Sequence, residues 1–178
     1  MPNYTKPAVS AEKDMKELLQ QLAVYSAWAN QRLIECILAI PEEATTTVLA
    51  SSFPSLQATL LHMWDAESIW WQRQKLQETV TPPSANFKGT TRDIATALMH
   101  QNKLWETWVS NASPAVLDHT FMYYTSKREP FKIPVNQMLL HVFNHGTYHR
   151  GQLVTMLRQL GVQKIPGTDY FIWSRTRK

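Results

Sequence analysis

The stretch His141-Val-Phe-Asn-His145-Gly-Thr-Tyr-His149-Arg-Gly-Gln152 holds three of the chain's six histidines, spaced four residues apart. On an α-helix each four-residue step turns by about 40° and rises by about 6 Å. The three imidazoles therefore share one stripe, and neighbours at i and i+4 can share a metal ion. The helical pattern around them runs from about Val135 to Leu160, with Gly161 placed as its C-terminal cap. A catalytic zinc-type site needs three protein ligands and an open position. His145 and His149 supply two. His141 lies eight residues from His149, about 12 Å along the axis, so it either replaces one of that pair or plays another part.

Outward from this stretch, three more long helical patterns appear. The first runs from about Ala11 to Ile40, with Leu19, Leu22, Ala29, Leu33 and Ile37 on one face, Ser10 as N-cap and Pro41 ending it. The second runs from about Ser55 to Glu78, with Leu56, Leu60, Met63 and Trp70 three or four apart. The third starts at a Thr90 cap, with Asp93 in its first turn, carries Ile94, Leu98, Gln101, Trp105 and Trp108 on one face, and ends near Asn111. Between the third and fourth, His119 to Thr125 is aromatic and strand-prone. Lys127-Arg128-Glu129 could turn it back on Phe131 and Ile133 as a small hairpin. Four long helices with few breaks argue for an all-α bundle. The connections of about 12 residues (Thr79 to Thr90) and of over 20 between the third and fourth helices imply one or two crossovers.

Composition bounds the rest. The 178 residues suit a single domain over 1–178, with 1–10 and 174–178 expected as loose tails. Apolar residues make up 44%, with seven tryptophans, so a substantial aromatic core is available. No apolar run approaches the ~20 residues that span a membrane. The N-terminus lacks the pattern of a signal peptide, and the single Cys36 excludes an internal disulfide and a cysteine-built zinc site, so the cytoplasm is the expected compartment. A net charge of +4, scattered apart from Arg175-Thr-Arg177-Lys178, does not suggest nucleic-acid binding.

The third ligand must come from elsewhere. His62 sits mid-helix among apolar residues, whereas His100 lies on the solvent side of the third helix and His119 opens the hairpin, which makes His62 the best candidate. Asn144, Thr147 and Gln152 lie close enough to orient imidazoles or meet a substrate. Asp65 and Glu67 are expected to point away from the face of His62, with Glu67 paired inside with Arg32 or Arg150. Trp64, Trp70 and Trp71 read as core and interface.

These residues resemble those of the DinB/YfiT-like superfamily over nearly the whole chain. Tyr25-Ser-Ala-Trp28-Ala-Asn30-Gln-Arg-Leu33 is similar to its first-helix pattern, and Phe53-Pro-Ser55 leading to His62 and Glu67 is similar to its second. The stretch His141 to Gln152 matches its most specific motif, and Pro166-Gly-Thr168-Asp169-Tyr170 resembles its C-terminal signature. Several members carry histidine where this chain has Tyr148, a position outside the ligand set. The resemblance implies a four-helix bundle of up-down-down-up topology, a homodimer, and one divalent metal, zinc or nickel, on His62, His145 and His149, with His141 beside the site. It also implies a small-molecule substrate and a low-molecular-weight thiol, as in thiol-dependent S-transferases. A metal-dependent hydrolase and a non-enzymatic metal-stabilised scaffold of the stress response are the competing readings.

Overall fold

The computed structural model describes residues 8–125 and 127–176, with side chains from residue 14 onward. The protein is mostly helical. In chain order it comprises α1 (Ala8–Leu38), α2 (Glu42–Thr45), α3 (Leu56–Gln74), a 3-10 turn (Pro83–Ala85), α4 (Thr91–Asn111), α5 (Pro114–Asp118), β1 (Thr120–Tyr124), β2 (Pro130–Pro134), α6 (Val135–Gln159) and α7 (Tyr170–Thr176). The four long helices are those expected, and the hairpin pairs Thr120 with Pro134 through Tyr124 with Pro130. The short helices α2, α5 and α7 and the 3-10 turn are additions that the helical periodicity did not mark.

The helix ends follow local chemistry. At α4, Thr90 Oγ1 accepts from the Asp93 amide at 3.3 Å and Asp93 Oδ2 accepts from the Thr90 amide at 2.8 Å, a reciprocal capping box. Ser55 Oγ accepts from the Ala58 amide at 3.1 Å and starts α3. At the end of α6, Gly161 takes φ +81, its amide bonds to Arg158 O and the Val162 amide bonds to Leu157 O, which is the two-bond Schellman closure. Two boundaries differ from expectation. Helix α1 begins at Ala8, so Ser10 lies inside it and is not its N-cap. Helix α3 stops at Gln74, four residues before Glu78, because Leu76 takes φ +53 and closes the same two-bond motif through Leu76 N–H to Arg73 O and Gln77 N–H to Gln72 O. A leucine at that left-handed position gives no sequence signal, since glycine is the usual occupant. Of the residues read as terminal tails, 8–10 and 174–176 are helical, and 1–7 and 177–178 lie outside the described residues.

Helix α1 packs on α4 and α6, and so does α3. Helices α3 and α4 run the same way: Gln57 meets Thr91, Glu67 meets Asn102, and Trp71 meets Trp105. Helices α3 and α6 run oppositely, since Thr59 meets Met156 and Trp70 meets His141. The parallel pair needs a return along the helix length. The segment between them provides it, held on α3 by the Ser84 amide donating to Asp65 Oδ1 at 2.8 Å.

The apolar core is in two parts. One joins Leu19, Trp105, Val109, Met138 and Leu139; the other joins Leu33, Ile37, Leu60, Ile94, Leu98, Leu153 and Leu157. Between them, at mid-height, lies a buried polar layer of Ser26, Asn30, Glu67, Asn102 and Arg150. The three histidines sit at this same level on α3 and α6, so the polar layer backs them.

Candidate metal centre

The candidate centre is built from α3 and α6. His62, half-buried on α3, meets His145 and His149 one turn apart on α6; one nitrogen from each lies within 4.8 Å of the others. The His145 and His62 Nε2 atoms are 3.3 Å apart, and those of His149 and His145 are 3.0 Å apart. Phe53, in the segment entering α3, stacks on His62 with ring centres 4.1 Å apart and meets the edge of His149 at 5.7 Å. Its apolar face shields one side of the imidazole cluster.

The electrostatics keep the rings neutral. Burial pushes the His145 imidazole down to about 4, helped by the neighbouring His149, His62 and His141. Burial also lowers His62, with His149 adding to the effect and Asp65 opposing it, and lowers His149 against the opposing bond from Gln152. The His149 Nδ1–H donates to Gln152 Oε1 at 2.8 Å, which leaves its Nε2 with a free lone pair. Gln152 is itself held, donating from its Nε2 to Ser52 Oγ at 3.1 Å.

This donor set fits a divalent metal. Zinc–imidazole bonds of about 2.0–2.1 Å place tetrahedral ligand nitrogens about 3.3 Å apart. Two of the observed separations, 3.0 and 3.3 Å, lie near that value. Three lone pairs aimed together repel unless a proton or a cation lies between them, and the depressed basicity disfavours the proton. The three histidines could therefore hold a metal ion.

A family model described as the DinB family matches residues 13–177. The chain belongs to the DinB family. Protein DinB of Bacillus subtilis (strain 168) is 28% identical to it over an alignment covering 89% of this chain and 95% of that protein. The structure of this DinB-family chain brings together His62, His145 and His149. His100 and His119 are exposed on α4 and before β1 and take no part in the cluster. His141 is exposed beside it, stacked on His145 at 5.7 Å and against the Trp70 ring at 5.3 Å.

The neighbours sort differently from expectation in places. Of Asn144, Thr147 and Gln152, only Gln152 orients an imidazole; Thr147 Oγ1 accepts from Arg150 at 2.6 Å, and Asn144 lines a groove with Tyr25 and His141. Asp65 accepts from the Ser84 amide at 2.8 Å, and its charge opposes the lowering of His62. Glu67 does turn inward, but Asn102 is its direct partner, donating at 2.6 Å. Asn102 in turn accepts from Asn30 at 2.9 Å, and Asn30 accepts from Arg150 at 3.0 Å. Arg32 instead lies over the Trp28 ring. Burial pushes the Glu67 carboxyl up to about 8 against the opposing Asn102 bond and Arg150 charge. Gly146 allows this packing: a Cβ there would come within 3.2 Å of an Arg150 guanidinium nitrogen. Phe53 and Ser52 were not foreseen as site residues. The signals in the sequence are the place of Phe53 in the Phe53-Pro-Ser55 pattern leading to His62 and the place of Ser52 just before it.

Proposed function

We propose that His62, His145 and His149 bind one divalent metal, zinc or nickel, and that this DinB-family protein is a metal-dependent enzyme transferring the sulfur of a low-molecular-weight thiol to a small electrophile. The observation that carries this reading is the convergence of three neutral imidazole nitrogens from two helices. Neutral ligands leave a divalent ion its full charge, and when bound it supplies the Lewis acidity that deprotonates a thiol or a water at neutral pH. In the transfer, the carbon–sulfur bond forms as the electrophile's leaving group departs, and the thiol proton passes to solvent.

The chain's own residues set the stage for that chemistry. Gln152 locks the His149 tautomer through the 2.8 Å bond. Phe53 covers His62 and excludes water from that side. Asn144, Thr147 and His141 present polar groups to a groove of about 460 Å³ between α1 and α6, a size that suits a small substrate.

The helix directions support a four-helix bundle of up-down-down-up order, in which α3 and α4 are the parallel pair and α6 runs against α3. No helix among the described residues is long and apolar enough to cross a membrane. A homodimer acting on a small molecule accords with the family resemblance, and the single cysteine and scattered charge accord with a cytoplasmic protein that takes no nucleic acid.

The test is metal analysis of the purified protein joined to a panel of thiols and electrophiles. We expect one metal per chain and thiol consumption that stops on chelation. Turnover that persists after complete metal removal would reject the mechanism, and electrophile hydrolysis without thiol consumption would assign the protein to the hydrolases instead.

A further inference from the structure

A second cleft, of about 780 Å³, lies where the end of α3 faces the hairpin, away from the imidazole cluster. Its size is that of a small-molecule site. At its wall Arg73 is held in an unusual state. Its guanidinium carbon lies 4.8 Å from the Trp70 ring centre and 4.8 Å from that of Tyr123, so the cation sits in the corner that these two rings make where they meet edge-to-face. One terminal nitrogen donates to the Tyr124 carbonyl at a long 3.3 Å, and Nε is buried with no hydrogen-bond partner. No carboxylate among the described residues forms an ion pair with it; Glu78 lines the cleft but is exposed and unbridged to it. Burial lowers its pKa, with Tyr123 opposing.

With five N–H donors and one hydrogen bond, to Tyr124 O, Arg73 has donor capacity left for an anion. Arg128, at the hairpin turn, adds a second cation to the same cleft. Apolar side chains surround them: Leu76 is 67% and Met122 49% exposed, an open apolar rim beside two cations. A guanidinium's fork of N–H donors, anchored here against two aromatic rings, matches a carboxylate, which it can grip with two bonds. We propose that this cleft binds the carboxylate of a small organic acid with an apolar body, Arg73 and Arg128 taking the acid group and Leu76 and Met122 the body. Occupancy does not depend on the metal, since none of the three histidines lines the cleft.

The test titrates the full chain, metal-loaded and chelator-treated, with 4-phenylbutyrate and with its neutral amide. Binding is read by calorimetry and by tryptophan fluorescence, Trp70 being in contact with Arg73. The acid should bind both forms of the protein, and the amide roughly tenfold more weakly or worse, the usual worth of a charge-assisted pair. Arg73→Gln should lose roughly tenfold in acid affinity and leave the amide unchanged. Equal affinity for acid and amide, equal affinity of wild type and Arg73→Gln, or no binding at millimolar acid would overturn the proposal. Acid binding that disappears on chelation yet survives Arg73→Gln would place the acid on the imidazole cluster and would also overturn it. If circular dichroism shows Arg73→Gln unfolded, Arg128→Gln at the exposed turn decides: acid affinity should fall severalfold, and an unchanged value rejects the cleft.

Discussion

At the residue scale, the centre depends on groups that never touch a metal. Gln152 is four residues from Tyr148 in an otherwise ordinary helical turn, yet it fixes which His149 nitrogen carries the proton. Loss of such a partner typically weakens metal affinity roughly 10–100-fold. Gln152→Ala should therefore retain three ligands and one site, with an affinity lower by that factor in chelator competition, whereas His149→Ala should lose the metal while remaining helical. Glu67 gives a prediction of a different kind. Its folded-state carboxyl titrates near 8 against an ordinary 4.5 because it is buried. Between those values the folded protein keeps a proton that the unfolded chain has released, so the contribution of Glu67 is full below 4.5 and is lost as pH rises toward 8. The histidines act with the opposite sign: His145, lowered to about 4 from 6.5, contributes above 6.5 and loses its contribution as pH falls toward 4. A comparison of metal-free wild type with Glu67→Gln cancels the histidines. The variant should gain stability relative to wild type as pH is raised from 4.5 to 8; urea unfolding curves whose separation is the same at both ends would reject the protonated Glu67.

At the element scale, the parts legible in the sequence are those with local chemistry. Thr90 and Asp93 announce the start of α4 because a hydroxyl and a carboxylate three residues apart can each satisfy the other's amide, and both bonds are present. Gly161 announces the end of α6 because its φ of +81 suits glycine. The end of α3 was not legible, since Leu76 occupies the same left-handed position without the residue type that marks it. Helix α7 was hidden for a related reason: it is fixed by tertiary contacts, with Trp173 buried against Tyr25 and the Tyr25 hydroxyl donating to Thr168 O at 2.8 Å. No periodicity in seven residues records such a contact. The Thr90 cap carries a direct prediction. Thr90→Ala removes one bond of the box and should cost about 1 kcal/mol of unfolding free energy. The lost stability should appear in denaturant midpoint with an unchanged slope, because the surface exposed on unfolding is the same. A loss of unfolding free energy under a few tenths of that value would show that the packing of α4 alone sets its start.

At the scale of the whole molecule, the arrangement of helices explains why only part of the candidate site could be read in advance. His145 and His149 are paired by helix geometry alone, so their stripe was evident from spacing. His62 is 83 residues from His145 in the chain and meets it only because α3 runs against α6 at that height. The same level carries Arg150, Asn30, Asn102 and Glu67, a polar chain that crosses α6, α1, α4 and α3 between two apolar clusters. Sequence spacing could suggest a partner for Glu67 but could not reveal Asn102, because that choice depends on the parallel register of α3 and α4. A metal bound by this geometry would tie α3 to α6 at mid-height, beside the apolar side chains of Met63, Ala66, Trp70 and Val142. Ligand bound only to the folded state stabilises it by mass action, about 4 kcal/mol when free metal is a thousandfold above its dissociation constant. Chelation should therefore lower the thermal midpoint by several degrees, and readdition of zinc or nickel should restore it. His62→Ala supplies the control at this scale: with two ligands left on one helix, the cross-link between α3 and α6 is gone. Its midpoint should match that of chelated wild type to within the cost of the lost side chain and should respond little to metal. A full metal-induced rise in His62→Ala would mean that the ion binds α6 alone and that the join between the helices rests on packing.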